Sequence, residues 1–142
     1  MTERRLIDTN LIIRHLVQDN EKQASVAGKL FDACDRGRVV IVVLPSVLAE
    51  CVFVLESFYE HPRKDIASAL SRLISSPGME IADSAVHLDA LDRFARTKVH
   101  FVDCLIAATA TSENIPVASF DQDFRNSATS ALRSNNSGSN RI

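Results

Sequence analysis

Four carboxylates interrupt otherwise apolar stretches of this 142-residue chain: Asp8 in "RRLIDTNLIIRHL", Glu50 in "LPSVLAECVFVL", Asp103 in "HFVDCLIAATA" and Asp121 in "VASFDQDF". Isolated acids in apolar sequence have two explanations. Asp is a favoured helix N-cap, because its side-chain oxygen accepts from a first-turn N–H that has no partner inside the helix. Asp8, Asp103 and Asp121 can each be read that way, and so can Thr9 and Asn10. Glu is not a favoured cap, and Ser46 is placed to cap the helix that holds Glu50. A carboxylate among Leu48, Ala49, Cys51 and Val52 is costly to bury without a partner. No Lys or Arg lies within one helical turn of Glu50 or Asp103 on their own helices. Acids gathered without local cations call for a counter-charge, which a divalent cation supplies. A set of carboxylates without His or Cys favours a hard ion, Mg²⁺ or Mn²⁺, over Zn²⁺. Such ions bind phosphate oxygens, generate hydroxide and stabilise a phosphoryl transition state. The chemistry indicated is phosphodiester hydrolysis with no protein nucleophile.

The elements that must position these acids alternate in type. Leu6 and Ile7 read as a short buried strand, followed by a helix over 11–17, a turn at Gln18–Asn20 and a helix over 21–35 that stops at Gly37. Val39–Pro45 is a β-branched run suited to a parallel strand buried on both faces. The helix "VLAECVFVLESF" is apolar on nearly every side, and a further helix opens at Pro62 with a stripe at Ile66, Leu70, Leu73 and Ile74. "MEIAD" reads as a third strand, Ser84 caps a helix, "FVDCLIAATATSEN" is another apolar helix, and "IPVAS" is a fourth strand. Strands alternating with helices predict a parallel sheet covered on both faces. The ends of its strands and the starts of the following helices share one edge, where ligands bind. Asp8, Glu50 and Asp121 belong to that edge, and Asp103 joins them if its helix starts there.

The composition, 46% hydrophobic and 24% charged, is that of a folded globular protein of one domain. The net charge of −2 gives no support to a broad nucleic-acid-binding surface. The absence of a signal-type or membrane-length apolar run predicts a cytoplasmic protein without membrane contact. Cys34, Cys51 and Cys104 are expected to be buried, reduced thiols. The four His residues are scattered, and Arg93, Arg96 and Lys98 read as a solvated helix face. Residues 126–142 are rich in Ser and Asn and read as a frayed tail behind a domain over 1–125.

The four acidic segments, in this order and at these separations, resemble the motifs of PIN domains, most of all VapC-type toxins of toxin–antitoxin pairs. The resemblance covers residues 5 to about 124. It implies a three-layer α/β/α sandwich around a central parallel sheet and an endoribonuclease that uses Mg²⁺ or Mn²⁺. It also implies an RNA substrate, a homodimer and a small antitoxin protein that blocks the site. Asp8, Glu50, Asp103 and Asp121 match the four acidic positions; Thr9, Asn10 and Ser119 match supporting polar ones, and Asp123 a frequent extra acid. Asp8 and Asp103 are then the principal metal ligands, and Asp121 binds directly or through water. Glu50 binds a second ion or orients the attacking water. Asn10 and Ser119 orient the ligands, and Thr9 is left free to cap the first helix. The family usually ends in an apolar edge strand, where this chain is polar. Two rivals are weighed. A phosphatase of the haloacid dehalogenase type needs a second Asp two residues after Asp8, where Asn10 stands. A non-catalytic, degenerate PIN-like protein keeps the fold and binds without cleaving.

Overall fold

In a computed structural model of the chain, residues 2–121 are described, and they fall into two compact units divided after Ser84. The first holds β1 (Glu3–Leu6), α1 (Thr9–Val17), α2 (Glu21–Asp35), β2 (Val39–Val42), α3 (Pro45–Ser57), α4 (Arg63–Ser75) and β3 (Met79–Glu80). Its strands form a parallel sheet in the order β1-β2-β3. The β-branched run supplies the middle strand, with Val39, Ile41 and Val43 buried, as a strand covered on both faces requires. β1 is displaced from its expected place: it runs Glu3–Leu6 with every residue exposed, and only Ile7, just beyond it, is buried. Its charges are paired off along the sheet, Arg5 with Glu3 and Arg4 with Glu80 of β3. Charged side chains on an outer strand discourage pairing with another chain.

The helices start and stop on local chemistry. Asn20 caps α2 by accepting from the Gln23 N–H at 3.0 Å. The cap expected at Ser46 is absent. Leu44 is the N-cap residue and Pro45 opens α3. Proline has no N–H to satisfy at that position and already carries helical φ. The stripe Ile66, Leu70, Leu73 and Ile74 of α4 is buried within the chain. The loop before β3 bends at Gly78 with φ of +82°.

The second unit contributes α5 (Ser84–Arg96) and α6 (Phe101–Glu113). The Phe94 and Phe101 rings meet edge to face with centroids 6.0 Å apart. Arg93 and Arg96 pair with Asp89 and Asp92 one turn back on α5. The expected fourth strand does not form, so three strands are found among the described residues rather than four. Asn114 takes a left-handed conformation and the Ile115 N–H closes back on the Ala110 carbonyl at 3.0 Å, so it is not available to a ladder. Pro116 has no N–H to offer. Val117 is instead buried with Ala107 and Ala110. The expected edge strand and the 126–142 tail lie outside the described residues. Among the described residues no helix is long and apolar enough to cross a membrane.

Two glycines should respond oppositely to alanine. At Gly78 a methyl group would sit 2.7 Å from Cys34 Sγ and 2.9 Å from its carbonyl oxygen, at a positive φ. Gly78→Ala should destabilise by more than about 1 kcal/mol. Gly28, inside α2, has nothing within 4 Å of such a methyl, and Gly28→Ala should stabilise by about 0.5–1 kcal/mol. Urea unfolding of the two variants checks both signs.

His15 on α1 stacks on Phe31 of α2 at 4.2 Å, its Nδ1 is buried without a hydrogen bond, and burial holds its pKa below the ordinary value. The folded state therefore favours the neutral ring. Its contribution is complete above the unfolded pKa of about 6.5 and is lost as pH falls below that towards the folded pKa. Replacing His15 with Phe should flatten the fall in urea midpoint between about pH 6.5 and pH 5. An unchanged slope would remove His15 as its cause.

Candidate active site

Asp8 follows the end of β1 and is the N-cap of α1, where its Oδ1 accepts from the Leu11 N–H at 3.0 Å. The cap expected at Thr9 therefore belongs to Asp8, and Thr9 does something else. It is the first residue of α1, it is buried, and its hydroxyl donates to Glu50 Oε2 at 2.9 Å. That bond joins the start of α1 to the second turn of α3. Glu50 is exposed rather than buried in apolar surroundings. α3 turns Leu48, Cys51, Val52 and Leu55 inward and leaves Ser46, Glu50, Phe53 and Ser57 outside. The burial cost expected for Glu50 does not arise.

Cys51 reports on both acids. Its thiol is pushed up to about 12, first by burial and then by the negative charges of Glu50 and Asp8. Two carboxylates on different helices thus act on one buried atom. The ion pairs of this unit engage Glu3, Asp19, Asp32, Glu56 and Glu80. Neither Asp8 nor Glu50 is paired with Lys or Arg among the described residues. Asn10 is exposed, and with Asp8 it lines a cleft of about 440 Å³ whose other walls include Leu11, Arg14, Lys22 and Val26. The sequence reading missed this cleft.

In the second unit Asp103 is half-buried in the first turn of α6, after a His100 N-cap that makes no side-chain bond. An acid there complements the positive end of the helix dipole. Ser119 Oγ accepts from the Asp121 N–H at 3.0 Å, and Asp121 is exposed. Asp123 lies outside the described residues. Among the described residues, no group of three or more His, Cys, Asp or Glu side chains is placed to hold a metal ion. The first unit offers a pair, Asp8 and Glu50. Oxygen donors without a cationic partner fit Mg²⁺ or Mn²⁺, since Mg²⁺ commonly takes one or two carboxylates and fills its other positions with water and phosphate.

A PIN domain family model matches residues 5–129. The chain belongs to the PIN domain family. Searches of curated proteins and of solved structures return no match. PIN domains are generally nucleases and usually use divalent metals such as Mg²⁺. The parallel sheet and the six helices found among the described residues agree with that fold. The haloacid dehalogenase reading is set aside by the membership.

The two polar contacts at Asp8 and Thr9 can be separated by stability. Asn caps as well as Asp, so Asp8→Asn should leave the unfolding free energy within about 0.5 kcal/mol, whereas Asp8→Ala should lose about 1 kcal/mol. Thr9→Val keeps the shape and removes the donor, and should lose about 1 kcal/mol. A double-mutant cycle of Thr9→Val with Glu50→Ala should return a coupling of about 0.5–1.5 kcal/mol. Strict additivity would mean the bond contributes nothing.

Proposed function

We propose that this PIN domain is an endoribonuclease that hydrolyses RNA phosphodiester bonds with Mg²⁺ or Mn²⁺. We further propose that it is the VapC-type toxin of a toxin–antitoxin pair, acting in the cytoplasm. The observation that carries the reading is the Thr9–Glu50 hydrogen bond, which fixes an exposed acid to the helix start that Asp8 caps. In this reading Asp8 and Glu50 hold the ion, and Asp103 and Asp121 match the family's two other acidic positions. The ion, when bound, supplies a hydroxide nucleophile and neutralises the charge of the transition state. Asp8 is oriented by its cap. Thr9 fixes the Glu50 carboxylate so that it holds the ion or turns the attacking water. Asn10, beside Asp8 in the cleft, orients water around them.

The partners follow from the same reading. They are an RNA substrate, a small antitoxin protein that covers the acids, and a second copy of the chain. α3 leaves Phe53 and Phe58 67% and 76% exposed, more aromatic surface than one helix normally shows to water. These two rings, rather than the buried stripe of α4, are the proposed contact. The second reading is a PIN-like protein that binds without cleaving.

Incubating the full chain with RNA and Mg²⁺ or Mn²⁺ decides between them. Cleavage should be abolished by EDTA, and Asp8→Asn or Glu50→Gln should lower the rate by at least two orders of magnitude while leaving the circular dichroism unchanged. Cleavage that persists in excess EDTA would rule out the metal mechanism. RNA binding without cleavage in either ion, unaffected by the two substitutions, would establish the non-catalytic reading.

A further inference from the structure

The cleft beside Asp8 does not end at α2. A second cleft of about 530 Å³ has Leu11 and Val26 in its walls as well, and continues to Lys29 and Arg38. The shared residues make the two one groove that starts at Asp8 and follows α2. Lys22, Val26 and Lys29 are spaced four and three residues apart on α2, which puts them on a single helix face. All three are exposed, Val26 at 63%. Arg38 is exposed at the far end, just after α2.

The charges in this groove fall into two groups. Arg14 is engaged by Asp19, Gln23 and Tyr59, with bonds of 2.8–3.2 Å. Arg5 is engaged by Glu3, which lines the same groove. The side chains of Lys22, Lys29 and Arg38 make no ion pair or hydrogen bond among the described residues. The three cations without side-chain partners therefore line adjoining clefts, Lys22 in the first and Lys29 and Arg38 in the second, with apolar Val26 and Leu11 shared by both, and the one acid there that is not neutralised is Asp8. A row of unpaired cations over apolar ground, leading to a phosphodiester-cleaving acid, suits one kind of occupant. That occupant carries phosphates at intervals and presents flat apolar faces between them.

We propose that this α2 groove is the track on which single-stranded RNA lies as it enters the site. The proposal rests on the nuclease reading and deepens it by naming the surface and the residues that carry the strand. Lys22, Lys29 and Arg38 take phosphates spaced along the strand, and Leu11 and Val26 lie against unstacked bases or sugars. A duplex is disfavoured, because its bases are stacked inside and offer nothing to the apolar strip.

The test uses the full chain carrying Asp8→Asn to stop turnover, Mg²⁺, and a fluorescein-labelled single-stranded RNA oligonucleotide followed by anisotropy over a range of salt. Lys22→Ala, Lys29→Ala and Arg38→Ala should each weaken binding several-fold at about 0.1 M salt. Each should also lower the slope of log affinity against log salt by about 0.7. Val26→Asp should weaken binding more than any one of them, and Lys64→Ala on α4 should change nothing. All these positions are on the surface, and unchanged circular dichroism confirms the fold. Unchanged affinity and slope in all three cation variants, with RNA still bound and the wild type still cleaving, would overturn the track and leave the nuclease reading standing. Duplex RNA bound as tightly as single strand would overturn the assignment to single strands. Displacement of the oligonucleotide by poly-glutamate at equal concentration would make the groove a seat for acidic protein and overturn the proposal. No RNA binding together with no cleavage would overturn both.

Discussion

The parallel ladder between β1 and β2 is the constraint from which the site follows. Its register sets Leu6 opposite Val42, and α1 and α3 begin at Thr9 and Pro45, each three residues beyond that pair. Two helices leaving the same edge at the same step bring their first turns side by side. Thr9, at the first position of α1, then reaches Glu50 in the second turn of α3, and the hydrogen bond locks a neighbourhood that the ladder has created. An antiparallel pairing would send the two helix starts to opposite edges. The chain keeps the pairing parallel by placing two helices, α1 and α2, in the connection, as a crossover requires.

This logic explains which parts of the site are legible in the sequence. The alternation of a β-branched run with apolar helices announces a parallel sheet, and a parallel sheet has one carboxyl edge. Asp8 and Glu50 could therefore be placed together from residue type and position alone. Less legible are choices made by single hydrogen bonds. Asp8, Thr9 and Asn10 are all favoured caps, and only the backbone angles of the turn decide that Asp8 accepts from Leu11 while Thr9 faces Glu50. Pro45 starts α3 one residue before Ser46, so Ser46 lies inside the first turn, and the Val47 and Leu48 N–H groups bond the Leu44 carbonyl instead of a capping hydroxyl. "IPVAS" has the composition of a strand, but Asn114 and Pro116 close the helix before it and withhold its donors. The groove on α2 was not seen because net charge sums over partners, and pairing is a three-dimensional property.

The acids differ in how far the protein compensates them. Asp8 sits at the positive end of α1 and accepts a backbone N–H, and Asp103 lies in the first turn of α6. Both gain from exposed N–H groups and the helix dipole. Glu50 lies beyond the first turn of α3, so the dipole does little for it, and the bond from Thr9 is neutral. A neutral hydroxyl fixes direction more than it offsets charge. Glu50 thus receives less compensation from its own helix than Asp8 or Asp103. It is held in one direction by a donor that does not cancel its charge, which is the condition a metal ligand has to meet.

The same distinction between direction and charge governs the cations. Arg14 has a planar fork, and it is used where geometry counts, binding Asp19, Gln23 and Tyr59 and so tying α1, the start of α2 and the end of α3 together. The Asp19 carboxylate is held below its usual range, first by the Tyr59 hydroxyl and then by Arg14, and the Tyr59 hydroxyl is pushed up in turn, chiefly by Asp19. This cluster gives one wall of the cleft beside Asp8 a fixed shape. Lys22 and Lys29 are flexible, strongly hydrated point charges, and they stay unpaired on the open face of α2. Rigid charge is placed inside the network and adaptable charge outside it. A surface of that kind can take a flexible polyanion although the chain as a whole is acidic, because the acids that line it are Asp8 and Glu3, and Glu3 is paired with Arg5.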